Sequence, residues 1–166
     1  MTRIEVVLGD ITREHVDAIV TAANESLTGG GGVDAAVHRA AGPRLAEAGS
    51  AIGPCDPGDA MATSAFDLAP VRHVIHTVGP VWEGGDDGEA EVLASCYRRC
   101  LEVADGLGAR TVAFPAIATG VYGFPPDLAA RIAVETITAT GSAVETVRLV
   151  AFDADARALL LARLPA

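Results

Sequence analysis

The chain has 166 residues, half of them hydrophobic, and a mean hydropathy of +0.34, which excludes intrinsic disorder and supplies enough apolar surface for one ordinary core. Acidic residues outnumber basic ones 22 to 12, a formal net charge of -10 that repels a phosphate backbone, so bulk nucleic-acid binding is not expected. All 12 basic residues are arginine, which excludes Schiff-base chemistry, lysine general acid–base catalysis and a Walker lysine.

In chain order, residues 4–8 form a β-branched run that Gly9-Asp10 breaks, and residues 18–23 form a second apolar run ending at Asn24. Residues 34–48 are Ala-rich and predict helix, with a break at Gly42-Pro43. Residues 60–65 and 71–78 are two further predicted strands. Residues 87–107 carry Val92, Leu93, Cys96, Cys100 and Leu101 at helical spacing. A short strand over 111–115, a helix over 125–139 opened by Pro125-Pro126, a strand over 146–152 and a helix over 154–164 complete the pattern. Strands alternating with helices predict an α/β fold with a mostly parallel or mixed sheet, in one domain spanning 1–166. No apolar run reaches the roughly 18 residues that cross a bilayer. Charges interrupt the apolar start MTRIEVVLGD, so no secretory signal and no membrane association are expected. On that reading Cys55, Cys96 and Cys100 are free thiols of a reducing cytoplasm.

In open α/β sheets ligands bind beyond the carboxyl ends of the strands, which draws attention to two glycine-bearing loops. The first, residues 24–34, has four consecutive glycines ahead of a helix start, where bare amides make an anion site. Its competing reading is a flexible surface loop. Residues 30–35 also fit G-x-G-x-x-A, but the loop is too long for a tight first turn and no ribose-binding acid follows a second strand. The second loop, residues 115–125, also runs from a strand into a helix, and an ordinary connection would look the same. Together the two loops could hold a diphosphate on neutral N–H groups, which reconciles an acidic protein with an anionic ligand. Cys96 and Cys100 lie one helical turn apart without further ligands at metal spacing, His73 and His76 point to opposite faces of one strand, and no G-x-S-x-G is present. No metal and no cofactor are expected.

Ordered motifs carry a resemblance across nearly the whole chain: Gly9-Asp10-Ile11-Thr12; Asp17-Ala18-Ile19-Val20, then Ala22-Ala23-Asn24; Leu27-Thr28 with the run from Gly29 to Asp34; His38-Arg39-Ala40-Ala41-Gly42; Cys55 with Gly58; Val74-Ile75-His76-Thr77-Val78-Gly79-Pro80; Cys96-Tyr97; and Phe114-Pro115 through Gly123. In these the chain resembles a macrodomain of the MacroD-like ADP-ribosyl hydrolase branch. The resemblance implies a three-layer α/β/α sandwich with a mixed central sheet, and ADP-ribose as ligand. It would place Asp10 and the Ile11 amide at the adenine, with Phe152 packed on the base. Gly31, Gly32 and Val33 of the first loop, and Ala118, Thr119, Gly120, Val121 and Tyr122 of the second, would hold the diphosphate and distal ribose.

The resemblance makes Asn24, Asp34 and His38 the catalytic set. Asn24 would orient a ribose hydroxyl and Asp34 a water, with the helix dipole keeping Asp34 ionised. His38, four residues on, shares that helix face and would bond Asp34 or the substrate, unless it is simply packed and satisfied. The bland alternatives for Asp10 and Phe152 are a turn residue and core filling. Thr21 stands where the family has Asn; being shorter and β-branched, it is expected not to reproduce the amide's bond. Ala118 stands where a serine is usual, and residues 66–70 lack a glycine-aromatic pair. The implied activity is removal of mono-ADP-ribose from acidic side chains of proteins, deacetylation of O-acetyl-ADP-ribose, or both, with a non-catalytic ADP-ribose reader as the alternative. ADP-ribose and ADP-ribosylated proteins are the expected partners, and the chain is expected to act as a monomer.

Overall fold

The computed structural model describes residues 2–165. Six strands, β1 (Arg3–Leu8), β2 (Ala18–Ala22), β3 (Ala60–Ser64), β4 (His73–Thr77), β5 (Thr111–Phe114) and β6 (Thr146–Ala151), form one sheet in the order β1-β6-β5-β2-β4-β3. All neighbours are parallel except β3 with β4, so the sheet is mixed. The helices are α1 (Gly32–Ala41), α2 (Arg44–Ile52), α3 (Glu89–Leu107), α4 (Pro126–Ala139) and α5 (Ala154–Arg163).

Side chains alternate across each strand and sort into two cores. Ala18, Val20, Ile75, Val112, Phe114, Val147 and Leu149 face α3 and α4, while Ile19, Val74, Ala113 and Val150 face α1 and α2. Both faces are covered, the expected three-layer α/β/α arrangement, and strands buried on both faces read as continuous apolar runs. The predicted helix over 34–48 is two helices. Gly42, at φ 87, ends α1 and Pro43 caps α2, which runs on to Ile52. The first helix begins at Gly32, two residues early, and so absorbs part of the predicted loop. The strand predicted over 71–78 shortens to His73–Thr77 because Val71 closes a turn on Leu68 O at 3.1 Å. Among the described residues no helix is long and apolar enough to cross a membrane.

The parallel strands deliver five chain segments to one edge of the sheet: Gly9-Asp10 after β1, Phe152 after β6, Pro115 after β5, Asn24 after β2 and Val78 after β4. Three inter-strand steps separate β1 from β2, about 14 Å at the usual strand spacing. That edge suits an elongated ligand.

Candidate active site

The first loop is tied down at one point and open elsewhere. Asn24 Nδ2 donates to Gly29 O at 3.0 Å and Ser26 Oγ to Asn24 Oδ1 at 3.0 Å, so the amide side chain organises its own loop. Leu27 is fully buried at φ 60, against Gly49 of α2; a Cβ on Gly49 would stand 1.9 Å from Leu27 O. Beyond this anchor Gly29 and Gly32 take φ 114 and 58, which favour glycine. Gly31 caps α1 without a side-chain bond, and a Cβ on Gly31 or Gly32 would meet nothing within 4 Å. The first residues of α1 therefore border free space, with the positive end of the helix dipole behind them.

The second loop turns tightly. Ala118 sits at φ 65, Gly123 N donates to Gly120 O at 3.0 Å and Phe124 N to Ala118 O at 2.9 Å. Asn24 and Gly30 to Val33 on one side, and Ala116, Ala118 and Gly120 to Tyr122 on the other, enclose a cleft of about 360 Å³. A second, apolar cleft of about 220 Å³ meets it at Ala116 and runs past Thr119 to Phe152. No basic side chain lines either cleft among the described residues, so an anion held there rests on backbone amides.

Beneath the first loop lies a buried polar cluster. Thr21 and His76 are register partners on β2 and β4 and face α1. Thr21 Oγ1 donates to Asp34 Oδ1 at 2.8 Å, so the threonine, though shorter than an asparagine, gives the acid a hydrogen bond of its own. Its hydroxyl reaches because Asp34, in the first turn of α1, is 1% exposed and pressed onto the sheet. Burial and the helix end act on Asp34 in opposite senses. Burial pushes its carboxyl above the usual carboxylate value, against the opposing pull of Thr21, His38 and the Gly30 amide. His38 Nε2 lies 3.5 Å from Asp34 Oδ1 without a hydrogen bond, so this histidine is not the satisfied packing residue. His76 Nε2 shares a 3.0 Å hydrogen bond with Thr63 Oγ1, which also lies 3.0 Å from Ser64 O, and His76 Nδ1 has no partner. Burial, reinforced by His38, lowers the His76 pKa to about 4. Asp34 Oδ2 has no hydrogen-bond partner; a Cβ on Gly30 would stand 3.3 Å from it and 3.8 Å from Asn24 Nδ2, so both functional groups pack beside this glycine. Neither Asp34 nor His38 lines the cleft in this conformation.

At the far end, Asp10 caps a single 3-10 turn, residues Ile11–Arg13, by accepting from Thr12 N at 2.9 Å and Thr12 Oγ1 at 2.7 Å. These bonds, the hydroxyl's first, hold its carboxyl below the ordinary value, and its other oxygen faces solvent near Arg13. The Ile11 side chain is core. Phe152 is 76% exposed, so core filling is excluded, and it stands at the mouth of the apolar cleft. Val121, at 99% exposure, projects from the tip of the second loop, while Tyr122 packs partly against the core. Among the described residues no three His, Cys, Asp or Glu side chains are grouped as a metal requires, and all three cysteines are buried free thiols.

The Macro domain family model matches residues 20–133. The chain belongs to this family. It is 56% identical over 170 aligned positions to a macro domain-containing protein of Streptomyces coelicolor, covering 99% of each. It is 57% identical over 139 positions to an O-acetyl-ADP-ribose deacetylase of Enterobacter cloacae, covering 81% of this chain and 77% of the relative. Among solved structures, a variant of the Oceanobacillus iheyensis macrodomain with ADPR superposes with a TM-score of 0.91 at 41% identity, over 96% of this chain and 90% of that one. The Trypanosoma brucei macrodomain in complex with ADP-ribose does so at 0.86 and 37%, over 95% and 67%. The macrodomain resemblance and the sandwich it implied both hold.

Three features of this macro domain were not read from sequence. His76 faces the same cluster as Asp34, although a strand histidine beside Thr77 carries no signal of its own. The burial of Asp34 depends on packing of α1. The support of the second loop by the segment after β4 joins residues 40 positions apart through one backbone bond, Trp82 N to Tyr122 O at 2.8 Å.

Proposed function

We propose that this chain, acting as one macro domain, binds ADP-ribose and hydrolyses ester bonds at its distal ribose. The substrates would be O-acetyl-ADP-ribose and proteins carrying mono-ADP-ribose on acidic side chains. The observation that carries the reading is the convergence of Asn24 and Asp34 beside Gly30, with Asn24 lining a cleft walled by two amide-bearing loops and Asp34 buried just beneath it. The adenine would lie against Phe152 with Asp10 and the Ile11 amide at its edge. The diphosphate would lie on the amides of Gly31 to Val33 and Ala118 to Tyr122, and the distal ribose beside Asn24.

For the acetyl ester, water oxygen adds to the acyl carbon, the bond from that carbon to the ribose oxygen breaks, and the water's proton passes to the leaving oxygen. Products are acetate and ADP-ribose. Asp34 is the group to take and return that proton, because a carboxyl with a raised pKa is the better base once ionised. Oδ2 is shut from solvent under Gly30, so this contact requires the glycine run to part by a water's width. His38 would steady the carboxylate. The buried free thiols suit a reducing compartment such as the cytoplasm.

The test is incubation with O-acetyl-ADP-ribose and, separately, with a glutamate-linked mono-ADP-ribosylated protein, following released ADP-ribose. Release from either supports an esterase. ADP-ribose binding with no release from both makes the chain a reader.

A further inference from the structure

The segment after β4 touches no part of the proposed ligand path through its own charged groups, yet it is built with unusual care. Glu89, first residue of α3, is 3% exposed, and its carboxylate accepts three backbone bonds: from Glu83 N at 2.9 Å, Gly85 N at 2.9 Å and Asp87 N at 2.7 Å. These amides, that of Glu83 foremost, hold its carboxyl down to about 2 against the opposing effect of burial, so the cage stays charged at any working pH.

The cage shapes a turn whose product is the position of Trp82. Gly85, at φ 93, lies against the indole; a Cβ there would stand 2.8 Å from it. Trp82 in turn reaches the second glycine loop twice. Its amide donates to Tyr122 O at 2.8 Å, and its ring packs edge-on with Phe124, the ring centroids 4.8 Å apart. Phe124 closes the loop on Ala118, and Gly79 lets Ala118 and Ile117 approach to where a Cβ would be only 3.0 Å from each. The loop that walls one side of the cleft is therefore clamped from behind by a segment that one buried carboxylate holds in shape.

We propose that Glu89 is a positioning residue for the nucleoside-diphosphate ligand, acting through Trp82 to preorganise the amides of Ala118 to Tyr122. The inference rests on the ADP-ribose reading for its ligand but not for its mechanical half. A loop held in its bound conformation before the ligand arrives does not charge the ligand for ordering it. Releasing it should weaken groups that reach the loop and leave AMP, which lacks the second phosphate and distal ribose, less affected.

The test uses the full chain and Glu89→Gln, whose amide NH₂ would face a backbone N–H donor. Hydrogen exchange without ligand should quicken about tenfold or more in residues 116–124 while the β1 and β6 amides keep their protection. Fluorescence of Trp82, the single tryptophan, should become more quenchable by acrylamide. ADP-ribose affinity should fall about tenfold and AMP affinity less than twofold, and KM for O-acetyl-ADP-ribose should rise with kcat nearly kept. A merely structural lesion would lower the active fraction, and so apparent kcat, at unchanged KM. If Glu89→Gln does not fold, Trp82→Ala replaces it, with the exchange and affinity readouts alone. Unchanged exchange in 116–124 overturns the proposal whatever the ligand does. Faster exchange in a protein whose wild type ignores ADP-ribose refutes the functional reading and leaves the clamp standing.

Discussion

Replacing Thr21 by valine removes one hydroxyl and keeps the branched shape. In this chain that hydroxyl donates to Asp34 Oδ1 at 2.8 Å, between residues that are almost wholly buried. A hydrogen bond to a charged, buried partner contributes about 1.5–3 kcal/mol, and no solvent can replace it here. For a domain of this size that is a fall in Tm of about 6 °C. The effect on chemistry is more specific. Thr21 is the strongest influence lowering a carboxyl that burial raises, so its loss raises the Asp34 pKa further. A reaction needing ionised Asp34 then starts at higher pH, and the acidic limb of kcat/KM for O-acetyl-ADP-ribose hydrolysis moves to the alkaline side. The stability deficit should shrink as pH falls through that raised pKa, because a protonated carboxyl needs the donor less. Thr21→Asn keeps a donor and should keep the pH profile, at some cost in packing from its extra heavy atom. A valine variant with wild-type Tm and an unmoved acidic limb would show that the Thr21–Asp34 bond does not govern the site.

The other expectations are simpler. Gly32→Glu puts a carboxylate into open space at the first residue of α1, at φ 58, and should abolish both ADP-ribose binding in calorimetry and turnover. Asp34→Ala should cut kcat by about ten- to a thousandfold and binding far less, and retention of full turnover would remove Asp34 from the mechanism. Gly49→Ala drives a methyl into the Leu27 carbonyl, 1.9 Å away, and should lower stability by about 3 kcal/mol or more in urea unfolding while loosening the first loop. ADP-ribose affinity should change little between low and high salt, since no basic side chain among the described residues lines the clefts; a steep salt slope would identify arginine as the phosphate ligand. His76, with a folded pKa of about 4 against 6.5, binds its proton later than the unfolded chain does. Stability is therefore full above pH 6.5 and declines by about 3 kcal/mol as pH falls to 4, and His76→Gln should flatten that slope.

Much of this protein is legible in its sequence because local chemistry dictates it. The β-branched runs, the Pro125-Pro126 start of α4, the Gly42-Pro43 break and the glycine run before α1 each act within a few residues. Hydrophobic alternation then leaves a two-sided sheet little choice but to carry its loops to one edge. Asn24 and Asp34 could be named from their motif, and the placement of Asn24 beside a run of bare amides follows from the glycines alone. What the sequence does not settle is the environment of those groups. Asp34 looks like an ordinary acid in a helix first turn until α1 docks on β2 and β4, and docking buries it beside Thr21 and His76. There desolvation raises the carboxyl's pKa, an effect that an argument from the helix end alone leaves out. Whether Thr21 reaches the acid depends on how close α1 sits, a distance no motif carries. Glu89 and Gly49 are silent in sequence for the same reason. Each matters through backbone atoms of a segment brought near only by the fold, Glu89 shaping the turn that meets the second loop and Gly49 making room for Leu27.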